Sequence, residues 1–584
     1  MHIIQNLLFP SLGITAPSDL YFRANNGDVD VSLNRNSIGI PKGTIISFDT
    51  YYNYLSITTW KKNCTIDDLT LRLLGKGHFR VRFYSKYLGG TDNCIHEECI
   101  NFSSSENNDI KLPFWEDISS GTIYFKLIAL EDSIFDGAYY YTKSKPSSDV
   151  HLGIVVTHFN RKKYVLPAIK RISEHLLSDS YYGGKINLIV VDNSQNILPE
   201  ESCGATIIPN ANLGGSGGFT RGLLHLKDNG FSHCLFMDDD ASCEIESIKR
   251  TYQLLQFSKI ERMAIAGSML YEEKPSVLHE KGAKYKKLQF KPINNGLDMS
   301  RFDNVVLADS IMERVDYGAW WHFAFRISDI IRYPFPFFVK ADDMLFGLSN
   351  NFNIITMNSI AVWGEDFGYK DGPMQRYLGT RGTFTASLIV GDSSLSRMIF
   401  SYYRGIFSSI LSYNYASARA TSIAVDNMMR GPDFWTENME FSSFIKNISH
   451  LMKEERMQDI DLSSMDIEGR SLSEGKIKRF IRLITLNGFL LPSFMIRDIT
   501  TLNGKSGRGI YRTIFRARNV VYYSMRYNLG YVATHNKKRA FAEMLYAIKT
   551  SFRLALKYKK LEKMYQKRST EIMTESFWRD VYKR

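Results

Sequence analysis

Over the first 148 residues, apolar and polar side chains alternate with period two in short runs at 44–48, 55–60, 69–73, 79–84 and 122–127, separated by Gly, Asn and Asp. Regular short runs of this kind, punctuated by turn residues, predict an all-β module of the sandwich type over 1–148. Its aromatic residues fit a core, with stacking on sugar rings as the alternative. The polar stretch 143–148 reads as a linker. The pattern then changes to continuous apolar runs at 152–157, 186–191 and 234–237, with an amphipathic helix predicted over 162–177. Buried strands alternating with helices predict a parallel α/β sheet over 149–385. Beyond 385 the apolar residues fall at three- and four-residue steps. They predict helices at 396–415, 421–429, 441–457, 475–491, 516–527 and 537–563, an α-helical domain over 386–584. The fold class expected is therefore multidomain: β-sandwich, Rossmann-like α/β, then α-helical.

A hydrophobic share of 44% and a charged share of 23% belong to a folded chain. No uncharged apolar run reaches the roughly 18 residues of a membrane-spanning helix, and the first residues lack the basic start and cleavage site of a signal peptide. The six cysteines show no zinc-type spacing and fit free thiols in a reducing cytosol. The charge changes the picture further along. Residues 470–584 hold 26 Lys and Arg against 7 Asp and Glu, within a net charge of +12 for the whole chain. Such a surplus points to an anionic partner, whether membrane surface, nucleic acid or anionic lipid-linked substrate, or else to a solvated basic face. The segment 477–486 is both basic and amphipathic. It can lie on an anionic bilayer or pack as a buried helix.

Candidate chemistry gathers at the ends of the predicted parallel strands, where open α/β sheets bind ligands. His158 to Arg161 follow the first strand, Asp192 the second, and Asp238, Asp239 and Asp240 a later one. Adjacent carboxylates raise one another's pKa unless a cation neutralises them. Mg²⁺ and Mn²⁺ take such oxygen ligands together with substrate phosphates. The triplet can thus hold a metal–diphosphate; an acidic solvated turn is the alternative. The segment 212–222 carries Gly214, Gly215, Gly217, Gly218 and Gly222 and reads as a loop whose N–H groups could meet a phosphate or a sugar hydroxyl. It lacks the Gly-Lys-Ser/Thr ending of a phosphate loop and does not directly follow the first strand, as a dinucleotide fingerprint would.

Four segments in this order and spacing resemble the galactofuranosyltransferases that polymerise mycobacterial cell-wall galactan. They are Thr157-His158-Phe159-Asn160-Arg161, residues 212–221, Met237-Asp238-Asp239-Asp240, and Phe338-Val339-Lys340-Ala341-Asp342-Asp343 with Gly347-Leu348. Trp320-Trp321 also matches, and residues 47–53 with Trp60 resemble that family's β-sandwich module. The similarity covers most of residues 1–385. It implies an inverting, metal-dependent transferase of the GT-A fold, using UDP-galactofuranose and Mn²⁺ or Mg²⁺. Arg161 and Asp192 would hold the uridine diphosphate, with Gly214 and Gly215 beside it. Asp238 and Asp240 would hold the metal, with Asp239 nearby. Trp320 and Trp321 would line the sugar and acceptor site, core packing being their alternative. Asp343 would be the base, with Asp342 beside it; as a helix start, one aspartate can cap while the other reacts.

Glycosyl transfer needs exactly such a division of labour in one respect: inversion puts the base opposite the leaving group, on a different segment from the metal site. Two family histidines are absent. Gly364 follows Trp363 where the metal-binding His would stand, and Tyr377-Leu378-Gly379-Thr380-Arg381 contains no His. Glu365 or Asp366 is then the expected third metal ligand, unless water fills the place. The function expected is transfer of galactofuranose to a lipid-linked bacterial glycan by a cytoplasmic protein peripheral to the inner membrane face, without nucleic acid. The C-terminal helices could instead assemble copies of the chain. A non-catalytic glycan-binding or scaffold protein, a transferase using another nucleotide sugar, and a nucleotidyltransferase are the competing readings.

Overall fold

Seven strands form the sheet on which the polar strand ends meet. In chain order they are β1 (Leu152–His158), β2 (Ile186–Asp192), β3 (Thr206–Pro209), β4 (His233–Asp238), β5 (Met263–Ala266), β6 (Phe323–Arg326) and β7 (Asn353–Ile355). The computed structural model describes residues 1–11, 16–34, 36–102, 108–310, 313–446, 448–505, 507 and 509–583. The spatial order is β3-β2-β1-β4-β6-β5-β7. The first four strands run parallel and β6 runs against both its neighbours. Chain order reverses between β1 and β4, a switch point of the kind that opens a crevice beyond the strand ends. In that crevice Thr157 stands opposite Asp238 and His158 opposite Asp192.

Helices of this unit that bear on the site are α1 (Lys162–Ile172), α2 (Gly214–Asp228), α3 (Ile245–Gln256) and α4 (Asp342–Asn350). The glycine-rich segment expected as a loop is the opening of α2. The reason is packing. A Cβ on Gly218 would come within 2.2 Å of Thr157, and one on Gly222 within 2.3 Å of Val155, so these glycines let α2 lie directly on β1. A second, four-stranded sheet pairs Ser242–Cys243 with Ala361–Gly364, and Ala361–Gly364 with Ser268–Tyr271. It carries residue 364 to the turn that follows Asp240.

Residues 1–142 form two six-stranded sheets in which every pairing is antiparallel. Their inward residues, among them Ile38, Leu71 and Phe135 from one sheet and Ile46, Val81 and Phe125 from the other, join one hydrophobic cluster. The strand expected over 55–60 stops at Ser56, whose side chain accepts the backbone N–H of Thr59 and caps a helix, Ile57–Asn63. The same cluster continues into the α/β unit through Ile154, Ile248 and Trp363. A buried polar lock joins the two units as well. The fully buried Arg250 on α3 donates to Glu246 and to the backbone carbonyls of Tyr52 and Asn6, at 3.2, 2.9 and 2.7 Å. Glu246 in turn accepts both N–H groups of Asn6, and Glu244 accepts the hydroxyl of Tyr21.

The C-terminal part is not purely helical. Helices α5 (Pro373–Val390), α6 (Leu395–Ile410), α7 (Tyr415–Met428), α8 (Lys476–Ile484), α9 (Lys537–Ile572) and α10 (Glu575–Tyr582) are accompanied by a small sheet. That sheet contains β8 (Arg497–Gly504), β9 (Ala517–Ser524) and β10 (Leu529–Thr534), with Gln458–Asp459 at its edge. The helix expected over 516–527 is therefore strand β9. Its run Val520-Val521-Tyr522-Tyr523 favours the pleated conformation, and β8 and β10 flank it. The helix expected over 441–457 is two short ones, Phe441–Ile445 and Ser449–Glu454; Asn447 lies outside the described residues. The helix expected over 475–491 ends at Ile484, because Leu486, Asn487 and Gly488 take positive φ.

Candidate active site

The acidic triplet leaves β4 at the switch point, and its three carboxylates have different surroundings. Asp239 is buried; its oxygens meet His158 Nδ1 at 3.3 Å and Arg161 Nη1 at 3.1 Å. Asp240 accepts Arg161 Nη1 at 2.6 Å and faces Lys370 Nζ at 3.3 Å. Asp238 has no such partner. Water reaches its surface, yet protein crowds it closely. That crowding, with Asp240 and Asp239 adding their charge, pushes its carboxyl up to about 8. Arg161 sits on the turn after β1, so β1 and β4 deliver the cation and the acids to one another.

Asp342 and Asp343 approach from another direction, at the start of α4. The chain reaches them through Phe338, Lys340 and Ala341, all with φ near +70° (73°, 73° and 70°). Non-glycine residues held there cost on the order of 1–3 kcal/mol each and mark functional turns. Asp342 is buried, and its Oδ2 accepts the Ser216 hydroxyl of α2 at 3.1 Å. Gly215 leaves room for this contact, since a Cβ there would stand 3.3 Å from the same oxygen. Gly214 takes φ +68° under the carbonyl of Phe338. Burial, then Asp343, raises the Asp342 carboxyl to about 7, and Asp342 acts in turn on Asp238. Asp343 is half-buried, accepts its neighbour's N–H at Met344 (2.7 Å), and is raised by burial. The metal-side acids and the α4 acids thus form one electrostatic neighbourhood from separate segments.

Other expected residues are placed differently. Asp192 is buried, and its two oxygens accept the backbone N–H groups of Ser194, Gln195, Asn196 and Ile197 at 2.7–2.9 Å. It shapes the loop after β2. Trp320 is 4% exposed and packs among Phe219, Phe236 and Phe346, the core placement. Trp321 donates its indole N–H to Gly267 and stacks on the exposed ring of Phe367 at 6.3 Å. Glu365 is held by Lys370 at 3.2 Å and by the Tyr527 hydroxyl, while Asp366 accepts the N–H of Gly368 at 2.8 Å. Among the described residues no three His, Cys, Asp or Glu side chains are gathered as a metal cluster.

Around Asp343 the structure adds groups to which the motifs gave no role. Lys340 lies over Phe367 (4.7 Å), and His279 contacts both Phe367 and Trp321. Glu280, buried with one oxygen unpartnered, is raised to about 8 by burial and then by Asp343. The signal for them was weak, because each stands on an irregular or edge segment whose spacing carries no period. Taken together, Asp238, Asp239, Asp240 and Glu365 meet two permanently cationic side chains, Arg161 and Lys370, besides His158 and the Tyr527 hydroxyl. Fully ionised, the four carboxylates would exceed those two cations by two charges, an excess that adds to the crowding in raising the Asp238 carboxyl. Hard oxygen donors of this kind suit a hard divalent cation, and Asp238 and Asp240 are the side chains that could hold one.

Residues 4–143 match the galactofuranosyltransferase 2 N-terminal family, and residues 153–295 match glycosyl transferase family 2. The chain is 24% identical over 433 residues to galactofuranosyltransferase GlfT2 of Mycolicibacterium smegmatis, and 25% identical over 437 residues to that of Mycobacterium tuberculosis. Each match covers 68% of this chain and 66% or 67% of the relative, so about a third of each relative lies outside it. Among solved structures, a Pyrobaculum calidifontis mannosyltransferase in complex with GDP-Man and Mn²⁺ is 14% identical, covering 49% of this chain and 75% of that one, with a TM-score of 0.28. GalNAc-T7 with UDP, GalNAc and Mn²⁺ is 11% identical, covering 43% and 49%, with a TM-score of 0.31. The resemblance drawn from the motifs is borne out by the two family matches: a region similar to the galactofuranosyltransferase 2 N-terminal family is followed by one similar to glycosyl transferase family 2.

Proposed function

We propose that this protein transfers galactofuranose, with inversion, from UDP-galactofuranose to a hydroxyl of a lipid-linked glycan, as a peripheral protein of the cytoplasmic membrane face. The observation that carries the reading is the meeting of Asp238–Asp240 and Arg161, at the switch point, with Asp342–Asp343 from α4. Arg161 binds and orients the diphosphate. Asp238 and Asp240 hold a divalent ion, Mn²⁺ or Mg²⁺, which when bound stabilises charge on the phosphate oxygens. Asp343 takes the acceptor hydroxyl proton as the new C–O bond forms and the bond to the diphosphate breaks. Trp321, Phe367 and His279 give the acceptor sugar an apolar face to stack on. The test is to incubate the purified protein with UDP-galactofuranose, Mn²⁺ and a galactofuranosyl acceptor. Release of UDP with an extended product is expected. UDP binding without either product favours the glycan-binding or scaffold reading, and product with a different nucleotide sugar changes the donor.

The membrane part of the proposal rests on α8. None of its residues is buried. Ile477, Phe480, Ile481 and Ile484 line one exposed face, and Lys476, Lys478 and Arg479 stand beside it. The exposed face supports the interfacial-helix reading on anionic lipid over the buried-helix one. Among the described residues no helix is long and apolar enough to cross a membrane. Binding to phosphatidylglycerol vesicles should weaken as salt rises, because exposed charges are screened beyond about 10 Å at 0.1 M. Phe480→Asp should weaken it at any salt. Absence of vesicle binding would return the C-terminal surface to a role in assembling copies of the chain.

A further inference from the structure

Lys370 belongs to none of the sequence motifs, yet its ammonium stands between Asp240 and Glu365, at 3.3 and 3.2 Å. It shares Asp240 Oδ2 with Arg161. Its loop is braced from two sides. Asp366 holds the turn through Gly368 N–H, and the C-terminal sheet grips the same segment: Gly507 N–H donates to Gly368 O at 2.9 Å and Lys505 Nζ to Asp371 O at 2.6 Å. At the turn between β9 and β10, Tyr527 holds Glu365 while Arg526 pairs with Glu272 and Glu273. A lysine whose only task was solubility would need no such support.

Two cations therefore converge on a carboxylate oxygen that a divalent ion would claim. When the ion takes Asp240, the ammonium loses half of its anionic partnership in a partly desolvated place. The diphosphate is the nearest new source of negative charge, and a lysine carries three donors on a flexible stem that can follow it. We propose that Lys370 is a ligand of the donor diphosphate. Without donor it neutralises Asp240 and Glu365; with donor it turns to a phosphate oxygen and supplies positive charge beside the place where Asp238 and Asp240 would hold a metal. This rests on the transferase reading above.

The test is calorimetric binding of UDP to the full chain, with Mn²⁺ and separately with EDTA, for wild type, Lys370→Met and Lys370→Arg. Uridine serves as the phosphate-free control. Charge-assisted hydrogen bonds of this kind set a loss on the order of tenfold or more in UDP affinity for Lys370→Met. Lys370→Arg should recover most of it, and uridine binding should not change. Mn²⁺ binding without nucleotide, read by electron paramagnetic resonance, should tighten in Lys370→Met because Asp240 has lost a competitor. Wild-type UDP affinity in Lys370→Met under both conditions would overturn the proposal and leave the transferase reading intact. No UDP binding by the wild type even with Mn²⁺ would remove the reading and the proposal together.

Discussion

Asp343→Asn should keep UDP affinity at the wild-type level and lower sugar transfer by roughly 10²–10⁴-fold, the usual scale for removing a general base. The variant is expected to fold. Asp343 Oδ1 accepts the N–H of Met344, and an asparagine oxygen can accept the same bond. What is lost is the capacity to take a proton. Asp342 is a poor substitute, because it is buried and already accepts the Ser216 hydroxyl. Its replacement should disturb the α2–α4 contact and so affect stability as well as rate. Single-turnover transfer and UDP calorimetry on both variants separate the two effects. Near wild-type turnover in Asp343→Asn would shift the base to Asp342 or to Glu280, the other raised carboxyl beside it.

The second large effect is expected at Asp238. Among the described residues it is the one acid of the triplet that makes no ion pair, and its carboxyl is raised first by the crowding of protein around it and then by Asp240 and Asp239. Asp238→Ala should weaken Mn²⁺ binding to the UDP complex and lower transfer by about two to four orders of magnitude, since Lewis-acid stabilisation is worth several kcal/mol and each 1.36 kcal/mol is tenfold. Asp240→Ala should act similarly but also free Arg161 and Lys370. Asp366→Ala should leave Mn²⁺ affinity nearly unchanged, because its carboxylate is engaged in its own turn. Titration of Mn²⁺ into each UDP-bound variant distinguishes these patterns. Undiminished transfer in excess chelator would remove the metal from the mechanism altogether.

The parallel strands were legible because burial on both faces writes continuous apolar runs, and the polar residues that end those runs mark the crevice directly. Arg161 and the triplet were found that way. The glycine-rich segment was misread for a physical reason: glycines that permit a loop also permit a helix to approach a strand, and only the position of β1 distinguishes the two. Trp320 and Trp321 are adjacent and chemically identical, so the sequence could not say that one faces Phe236 and the other Phe367. The site's cation balance was also invisible, because Lys370 is brought in by a loop that the distant β8–β10 sheet supports. At position 364 the terminal methyl of Met269 fills the space that a side chain would enter. Spacing alone does not reveal this packing at the place where the resemblance leads one to expect a histidine.

The lock around Arg250 bears on how this architecture is inherited. Its guanidinium finds its acceptors on the first strand of the chain and at Tyr52, while Glu246 finds its donors at Asn6. Arg250 and Glu246 pair with each other on α3, so what the N-terminal module supplies is the neutral acceptors and donors that complete their hydrogen bonds. A buried polar group left without its partner costs on the order of 1–3 kcal/mol, a sizeable part of the roughly 5–15 kcal/mol that keeps a domain folded. Recombination that handed the catalytic half to a new N-terminal partner would leave this pair without those partners. The two halves are therefore expected to descend as one heritable block, and lineages that exchange the front module should also have altered residues 246 and 250.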